Sequence, residues 1–367
     1  MAALLVTAAG ACDGPEEQPE RPSESAAEDT RPSDSDPERP GPRTGTGESE
    51  PPPSAGSRRP VTLGFAGDVH FEGDLAALLR RPRTALRPVA ATLRRPDLMM
   101  LNLETALTRR GSPEPKRFTF RSSPRALRVL DRAGVDVVSL ANNHAVDYGR
   151  VGLRDTLRAV RRSPVPVVGI GRDATAAFRP LEVSLRGTKV SVLAATTKSE
   201  RTARVWGAGD DKPGVAVAIE PTPTLLRAVR DADDRSDVVV VYLHWGKEYE
   251  SCPNQRVRRY ARELGRAGAD VVLGSHSHVL RGAGWAADGT YVGYGLGNFV
   301  WYNQNSTSTG ILTLTIRGQR VVADSFTPAR IGADGRPRLL PTARSRAAVD
   351  DWRRLRRCTD LAATPPG

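Results

Sequence analysis

The chain has 367 residues, enough for one large α/β domain or two smaller ones. An apolar fraction of 39% and an aromatic fraction of 5% are low, so part of it is not core. The net charge of +12 is uneven: residues 13–59 hold 12 acidic and 6 basic side chains, and residues 60–367 carry +18. A basic folded part favours polyanionic partners; scattered solvated arginines are the plainer reading. No zinc ribbon, RNP-like aromatic motif or compact Lys/Arg run supports nucleic acid.

Ala2 to Ala11 are apolar or small, and Cys12 follows. The run is too short to span a bilayer, which needs ~20 residues. It resembles a bacterial lipoprotein signal, in which the Cys becomes the lipid-modified first residue. Ala9 stands where Leu is usual, and no Lys or Arg precedes the run. The resemblance implies a signal over residues 1–12, lipidation at Cys12, and an extracytoplasmic, membrane-anchored location in the cell envelope. The alternative is a slightly hydrophobic start with no anchor. Residues 13–59 are Pro, Glu, Ser, Asp and Gly with almost no large apolar side chain. Such a segment buries too little surface to offset its ordering entropy and reads as a disordered tether.

Besides Cys12 the chain holds Cys252 and Cys358. In an oxidising compartment an even pair suggests one disulfide, which would staple a helix-like stretch, Ala347–Leu361, beside the loop after His244. Two buried free thiols are the alternative.

From Val61 short β-rich runs alternate with amphipathic stretches. Strands are expected at Val61–Ala66, Leu98–Leu101, Val135–Leu140, Val165–Val168, Val190–Ala194, Val238–Leu243, Val271–Leu273, Tyr291–Tyr294, Ile311–Ile316 and Val321–Ser325. Several are continuous apolar runs, as in strands buried on both faces. Helices are expected at Asp74–Leu79, Pro124–Ala133, Gly149–Arg161, Pro223–Ala232 and Gln255–Gly268. The alternation argues for a layered α/β domain over 60–345, with a C-terminal helix and tail over 346–367.

Polar residues cluster just past those strands. Asp68 and His70 follow the first; Asn102 and Glu104 the second; Asn142, Asn143 and His144 the third. His244-Trp245-Gly246-Lys247-Glu248-Tyr249 follows Val238–Leu243, and His276 and His278 follow Val271–Leu273. Ligands in open α/β sheets bind beyond the carboxyl ends of strands, so the five blocks would converge. All five histidines of the chain lie in them. Imidazole with carboxylate suits Zn, Mn or Fe. One centre needs about four ligands; Asp68, His70, Glu104, Asn143, His244, His276 and His278 fit two divalent ions sharing a bridge. Two ions clamp the attacking and leaving oxygens of a phosphoryl displacement.

The order Asp-x-His, acidic residue, Asn-His, His, His-x-His resembles the calcineurin-like metallophosphoesterase superfamily. Asn-Leu-Glu at 102–104, Asn-Asn-His at 142–144, His-Trp-Gly-x-Glu-Tyr at 244–249 and Gly-Asn-Phe at 297–299 resemble its CapA family, linked to poly-γ-glutamate capsule synthesis. The resemblance covers roughly residues 61–330. It implies a β-sandwich flanked by helices. It places Asp68, His70 and His278 on a first metal and Asn143, His244 and His276 on a second. Glu104 stands where a bridging Asp is usual, and Ser275 where Gly is usual. His144 would protonate the leaving oxygen or stabilise developing charge. Asn102, Asn142, Trp245, Glu248, Tyr249, Asn298 and Arg281 are candidates for substrate contact or support. Trp245 as core, Glu248 as an arginine partner and Asn298 as a turn residue are the plainer readings.

The implied function is metal-dependent hydrolysis or transfer on a phosphoester or γ-glutamyl polymer. The alternative is a non-catalytic, lipid-anchored accessory that holds an anionic polymer among other capsule-synthesis proteins.

Overall fold

The computed structural model describes residues 59–199, 201–302 and 306–367. The expected signal, Cys12 and all of the tether but Arg59 lie outside the described residues. Among the described residues no helix is long and apolar enough to cross a membrane.

Two sheets carry the fold. The first has eight strands. Its main path runs Pro337–Leu339, Arg320–Ile331, Ser308–Arg317, Val61–Val69, Leu98–Leu103, Val137–Ser139, Val167–Val168, and Asn298–Val300 pairs with the Val61–Val69 strand. The second has six, in the order Ala283–Trp285, Tyr291–Gly293, Val271–Ser275, Val238–His244, Thr188–Thr196, Leu181–Leu185. From Val61–Val69 to Val167–Val168 the first sheet is parallel, and so are the four middle strands of the second. Parallel strands need covering on both faces, which explains their continuous apolar sequences.

The strand Val238–His244 shows how one run of valines serves two cores. Val238, Val240 and Tyr242 join Leu63 and Phe65 of the other sheet. Val239, Val241 and Leu243 join Leu225 and Val229 of the helix Pro223–Asp233, and Val257, Tyr260 and Leu264 of the helix Gln255–Arg266. Each such side chain contributes roughly 1.5–3 kcal/mol by leaving water. The Tyr242 hydroxyl donates to the Ala66 carbonyl at 2.8 Å and ties one sheet to the other. Both helices start on an expected kind of cap: Thr222 accepts from Leu225 N–H and Asn254 from Val257 N–H. The result is the sandwich of sheets flanked by helices that the sequence implies.

Some elements differ from expectation. Asp74–Leu79 belongs to a 3-10 turn, Gly73–Arg80. The helix Arg87–Leu93, with its proline in the first turn, and the half-exposed edge strand Leu181–Leu185 are additions. The last helix runs Thr342–Arg354, earlier than expected, and tightens into a 3-10 turn at Leu355–Cys358. Trp352 stacks on Phe326 at 4.7 Å and fixes that helix to the hairpin. A disulfide joins Cys252 to Cys358, 106 residues apart, with Cα atoms at 5.6 Å. A covalent clip across so long a loop is worth about 4–5 kcal/mol in the chain-entropy account.

An aspartate stands just before several parallel strands and takes a backbone N–H of the neighbouring strand. Asp97 accepts from Thr62, Asp136 from Met99, Asp237 from Lys189 and Asp270 from Val239, all at 2.7–2.8 Å. These latches close the amino ends of the strands and leave the carboxyl ends for the site.

Asp270 also titrates with folding. Burial, with Asp233 adding to it, pushes its carboxyl up to about 7, against the pull of the Val239 N–H. An unfolded Asp titrates near 3.9. The folded state therefore holds this proton more tightly. Stability from this group is full below about pH 4 and falls as pH rises towards about 7. Asp270→Asn is expected to flatten that decline, gaining about 2–3 kcal/mol over wild type between pH 5 and 8 in urea midpoints. Parallel pH profiles for the two proteins would refute it.

Candidate metal centre

Asp68 lies near the end of its strand, where the two sheets' carboxyl ends meet. Its N–H donates to Gly297 O at 2.8 Å. Its carboxylate accepts from Asn102 Nδ2 at 2.8 Å and from the His276 backbone N–H at 2.9 Å. Asn142 Nδ2 donates to Asn102 Oδ1 and Leu103 O, while Asn142 Oδ1 accepts from His144 N–H. Asn102 and Asn142 thus hold three strand ends in register and are fully buried. Their role is to orient Asp68 and His144.

The expected second ligand set comes together. His244 Nε2 lies 2.8 Å from Asn143 Oδ1, 3.0 Å from His276 Nδ1 and 3.5 Å from Glu104 Oε1. In the first set His278 Nδ1 lies 3.7 Å from Asp68 Oδ2. Three groups each offer ligand atoms within 4.8 Å of one another: Glu104, His244 and His276; Asp68, Glu104 and His278; Glu248, His276 and His278. Glu104 belongs to two of them, the position a bridge occupies.

His70 is in none of these groups. Phe120 stacks on its ring at 4.6 Å, and Trp301 and Tyr302 meet it edge-on. Its Nδ1 accepts from Glu72 N–H, so the neutral ring carries its proton on Nε2. Aromatic packing from distant segments, invisible in the Asp-x-His spacing, sets its ring.

His276 and His278 have φ of 81° and 56°. Left-handed backbone is unusual for such side chains and concentrates at functional sites. Here it turns the His276 N–H to Asp68. Asn298 Oδ1 meets His278 Nδ1 at 2.8 Å, and Ser275 Oγ meets His244 Nδ1 at 2.9 Å. Each fixes a ring orientation, as outer partners of metal-binding histidines do.

His144 has a partner that was not among the sequence candidates. Its Nδ1 lies 2.5 Å from Asp147 Oδ2, and its Nε2 3.8 Å from Glu104 Oε1. Asp147, fully buried, also pairs with Lys116 Nζ at 2.7 Å and accepts from Phe120 N–H. Lys116 Nζ also donates to Asn143 O. The His-x-x-Asp spacing, 144 to 147, was the available signal. Phe120 was unmarked too, yet its ring stacks on both His70 and His144.

Two candidates serve elsewhere. Trp245 packs in the helix-side core and donates its indole N–H to Tyr294 O at 3.0 Å. Among the described residues Arg281 forms no ion pair: it is buried, donates to Glu250 O and Lys247 O at 2.7 and 2.6 Å, and leaves Nη1 without a partner. It clasps the turn bearing Glu248 and Tyr249. Glu248 stays half exposed, its Oε1 3.8 Å from His276 Nε2. Tyr249 is also half exposed, at φ 60°, with its ring 5.8 Å from that of His278.

The residues fit divalent metal. Both Glu104 oxygens and His276 Nε2 are buried without a hydrogen-bond partner, as are two donors, His70 Nε2 and Arg281 Nη1. Orphaned buried acceptors are costly unless something satisfies them. Burial pushes the Glu104 carboxyl well above its ordinary range, and the Asp68 charge adds to this. Burial also raises Asp68, opposed first by the charge of His278. It pulls the imidazoles of His70, His244 and His276 well below theirs, which keeps these rings neutral, the form that can ligate a cation.

Comparison with known proteins gives the family. In Bacillus subtilis (strain 168), the "PGA biosynthesis protein CapA" is 32% identical over 224 residues, 60% of this chain and 57% of that protein. In Bacillus anthracis, the "Capsule biosynthesis protein CapA" is 29% identical over 261 residues, 68% of this chain and 61% of that protein. The chain thus spans about three fifths of the length of these relatives. A crystal structure described as a novel phosphatase of Mycoplasma pneumoniae aligns with TM-score 0.47 at 13% identity, covering 74% of this chain and 94% of that one. The family model described as "Bacterial capsule synthesis protein PGA_cap" matches residues 62–303, two thirds of the sequence, and the chain belongs to that family.

Proposed function

We propose that this protein is a two-metal hydrolase or transferase acting on a phosphoester or γ-glutamyl polymer in envelope or capsular poly-γ-glutamate metabolism. The observation that carries this reading is Glu104, a buried carboxylate with no hydrogen bond, shared by two groups of ligand residues. The names of the Bacillus relatives support the polymer.

Asp68, Glu104 and His278 would hold one ion, and Asn143, Glu104, His244 and His276 the other, with the His70 ring beside the first. Bound ions supply Lewis-acid polarisation of a phosphoryl or carbonyl oxygen. The protein's own work is proton handling and orientation. Asp147 keeps the His144 Nδ1 side engaged, so Nε2 faces the ligand cluster and can give a proton to a leaving oxygen. Lys116 neutralises Asp147. The Cys252–Cys358 disulfide supports action in an oxidising, extracytoplasmic compartment, with Cys12 as lipid anchor.

The test is metal content together with hydrolysis of an aryl phosphomonoester and phosphodiester, with Mn, Zn and Fe each supplied. About two ions per chain are expected in wild type and in His144→Ala, with turnover lower by roughly 10²–10⁴-fold in the variant. Absence of bound metal would sink the reading. Metal without turnover would favour the non-catalytic polymer-holding accessory. One feature leans that way: Phe120 stacks on His144 and leaves it only 6% exposed.

A further inference from the structure

Beside the metal centre lies a cavity of 480 Å³ whose wall includes Arg80, Arg109, Arg121 and Arg125, with Thr108, Ser122 and Ser123. A second, of 340 Å³, shares Thr108 and Arg109 with it and adds Arg128, Arg158 and Arg162. The two are neighbours that share this wall, and together they are termed the groove. Seven arginines face it against two carboxylates, Glu72 and Asp155.

Both carboxylates are already engaged. Glu72 accepts from the Arg121 backbone N–H at 2.8 Å. Asp155 pairs with Arg110 and Arg158 and accepts from Thr108. The arginines are mostly not. Among the described residues, Arg80, Arg109, Arg125, Arg128 and Arg162 form no ion pair, and all five are exposed. Arg121 lies over the Tyr148 ring at 4.7 Å and has no carboxylate partner there either. Unpaired guanidinium groups along a concave surface are set to take planar anions bidentately.

The groove also abuts the site. Phe71 and Glu72 in its wall follow His70 directly, and Glu72 N–H donates to His70 Nδ1. Arg121 follows Phe120, whose ring stacks on His70 and His144.

We infer that this groove binds a linear polymer with a carboxylate on every repeat and guides it towards the metal centre. The inference rests on the polymer named under the proposed function, not on turnover at the metals. Repeated single charges suit a row of separate forks, each arginine taking one carboxylate.

The test uses the full chain and poly-γ-glutamate of defined length, with and without EDTA. Replacing Arg80, Arg109, Arg121 and Arg125 together by Gln is compared with a matched control on the helix side, Arg227, Arg230, Arg259 and Arg266 to Gln. All eight side chains are exposed, so both proteins should fold. The groove variant is expected to lose about tenfold or more in affinity, with a shallower salt dependence, while the control stays within about twofold. Metal content should be unchanged in both. Equal losses in the two variants would overturn the inference, as would no binding by wild type, or tighter binding of inorganic polyphosphate than of poly-γ-glutamate. Because binding is read in EDTA as well, failure of the metal reading and failure of the groove are told apart.

Discussion

Glu104→Gln is expected to reverse sign with metal. In EDTA at pH 8 the variant should be more stable than wild type, by about 2–4 kcal/mol, because an ionised carboxylate buried without donors costs several kcal/mol. With Mn or Zn the order should invert, the variant losing about 100-fold or more in metal affinity. The pH dependence follows from the raised Glu104 carboxyl. A carboxyl raised in the folded state lends the metal-free protein most stability below its unfolded value near 4.3, and less as pH climbs. The EDTA gap should therefore shrink towards pH 4. Metal must displace the proton that the raised carboxyl keeps, so affinity should rise with pH and binding should release protons. Thermal melts across pH, with and without metal, read all of this. Identical metal responses in the two proteins would remove Glu104 from the centre.

Gly67→Ala should be the most damaging single methyl in the described fold. A Cβ at this position would sit 1.8 Å from Gly297 O and 2.7 Å from the Gly297 carbonyl carbon and from Leu296 O. These are backbone atoms and cannot rotate aside. Relief would require separating two paired segments, breaking the Asp68 N–H to Gly297 O bond. A loss of about 4 kcal/mol or more is expected, which for a domain of this size is roughly 8–16 °C in melting temperature. The same shift would move Asp68 away from the His276 N–H, so metal binding should fall as well. Melting within about 2 °C of wild type, with metal retained, would show that the close approach yields easily.

The strands were legible because they are buried on both faces: Val238-Val239-Val240-Val241 reads as a strand because it serves two cores. The short edge strands were not, since Leu181–Leu185 is only half buried and carries no such run. In the site, residues on parallel strand ends were found because topology alone gathers them. What escaped depends on segments meeting from afar. The setting of the His70 ring cannot be read without knowing that Phe120 and Trp301 pack on it. Trp245 could have been assigned: continuing the alternation of Val239, Val241 and Leu243 by one step puts its indole on the helix side. Arg281 could not, because its partners are backbone carbonyls of a turn some thirty residues away.

The Val61–Val69 strand has partners at Asn298–Val300 and Ser308–Arg317, near the other end of the chain. Synthesis proceeds from the N-terminus, so this strand emerges first and waits longest. Its carboxylate at Asp68 gains the His276 N–H only when the last third of the chain has arrived. A growing chain therefore presents scattered ligands, not a pocket, and a fragment that stops before Gly274 lacks two of the five imidazoles. If the site holds metal as proposed, it would be completed late, and truncated products that lack His276 and His278 are expected to bind metal weakly.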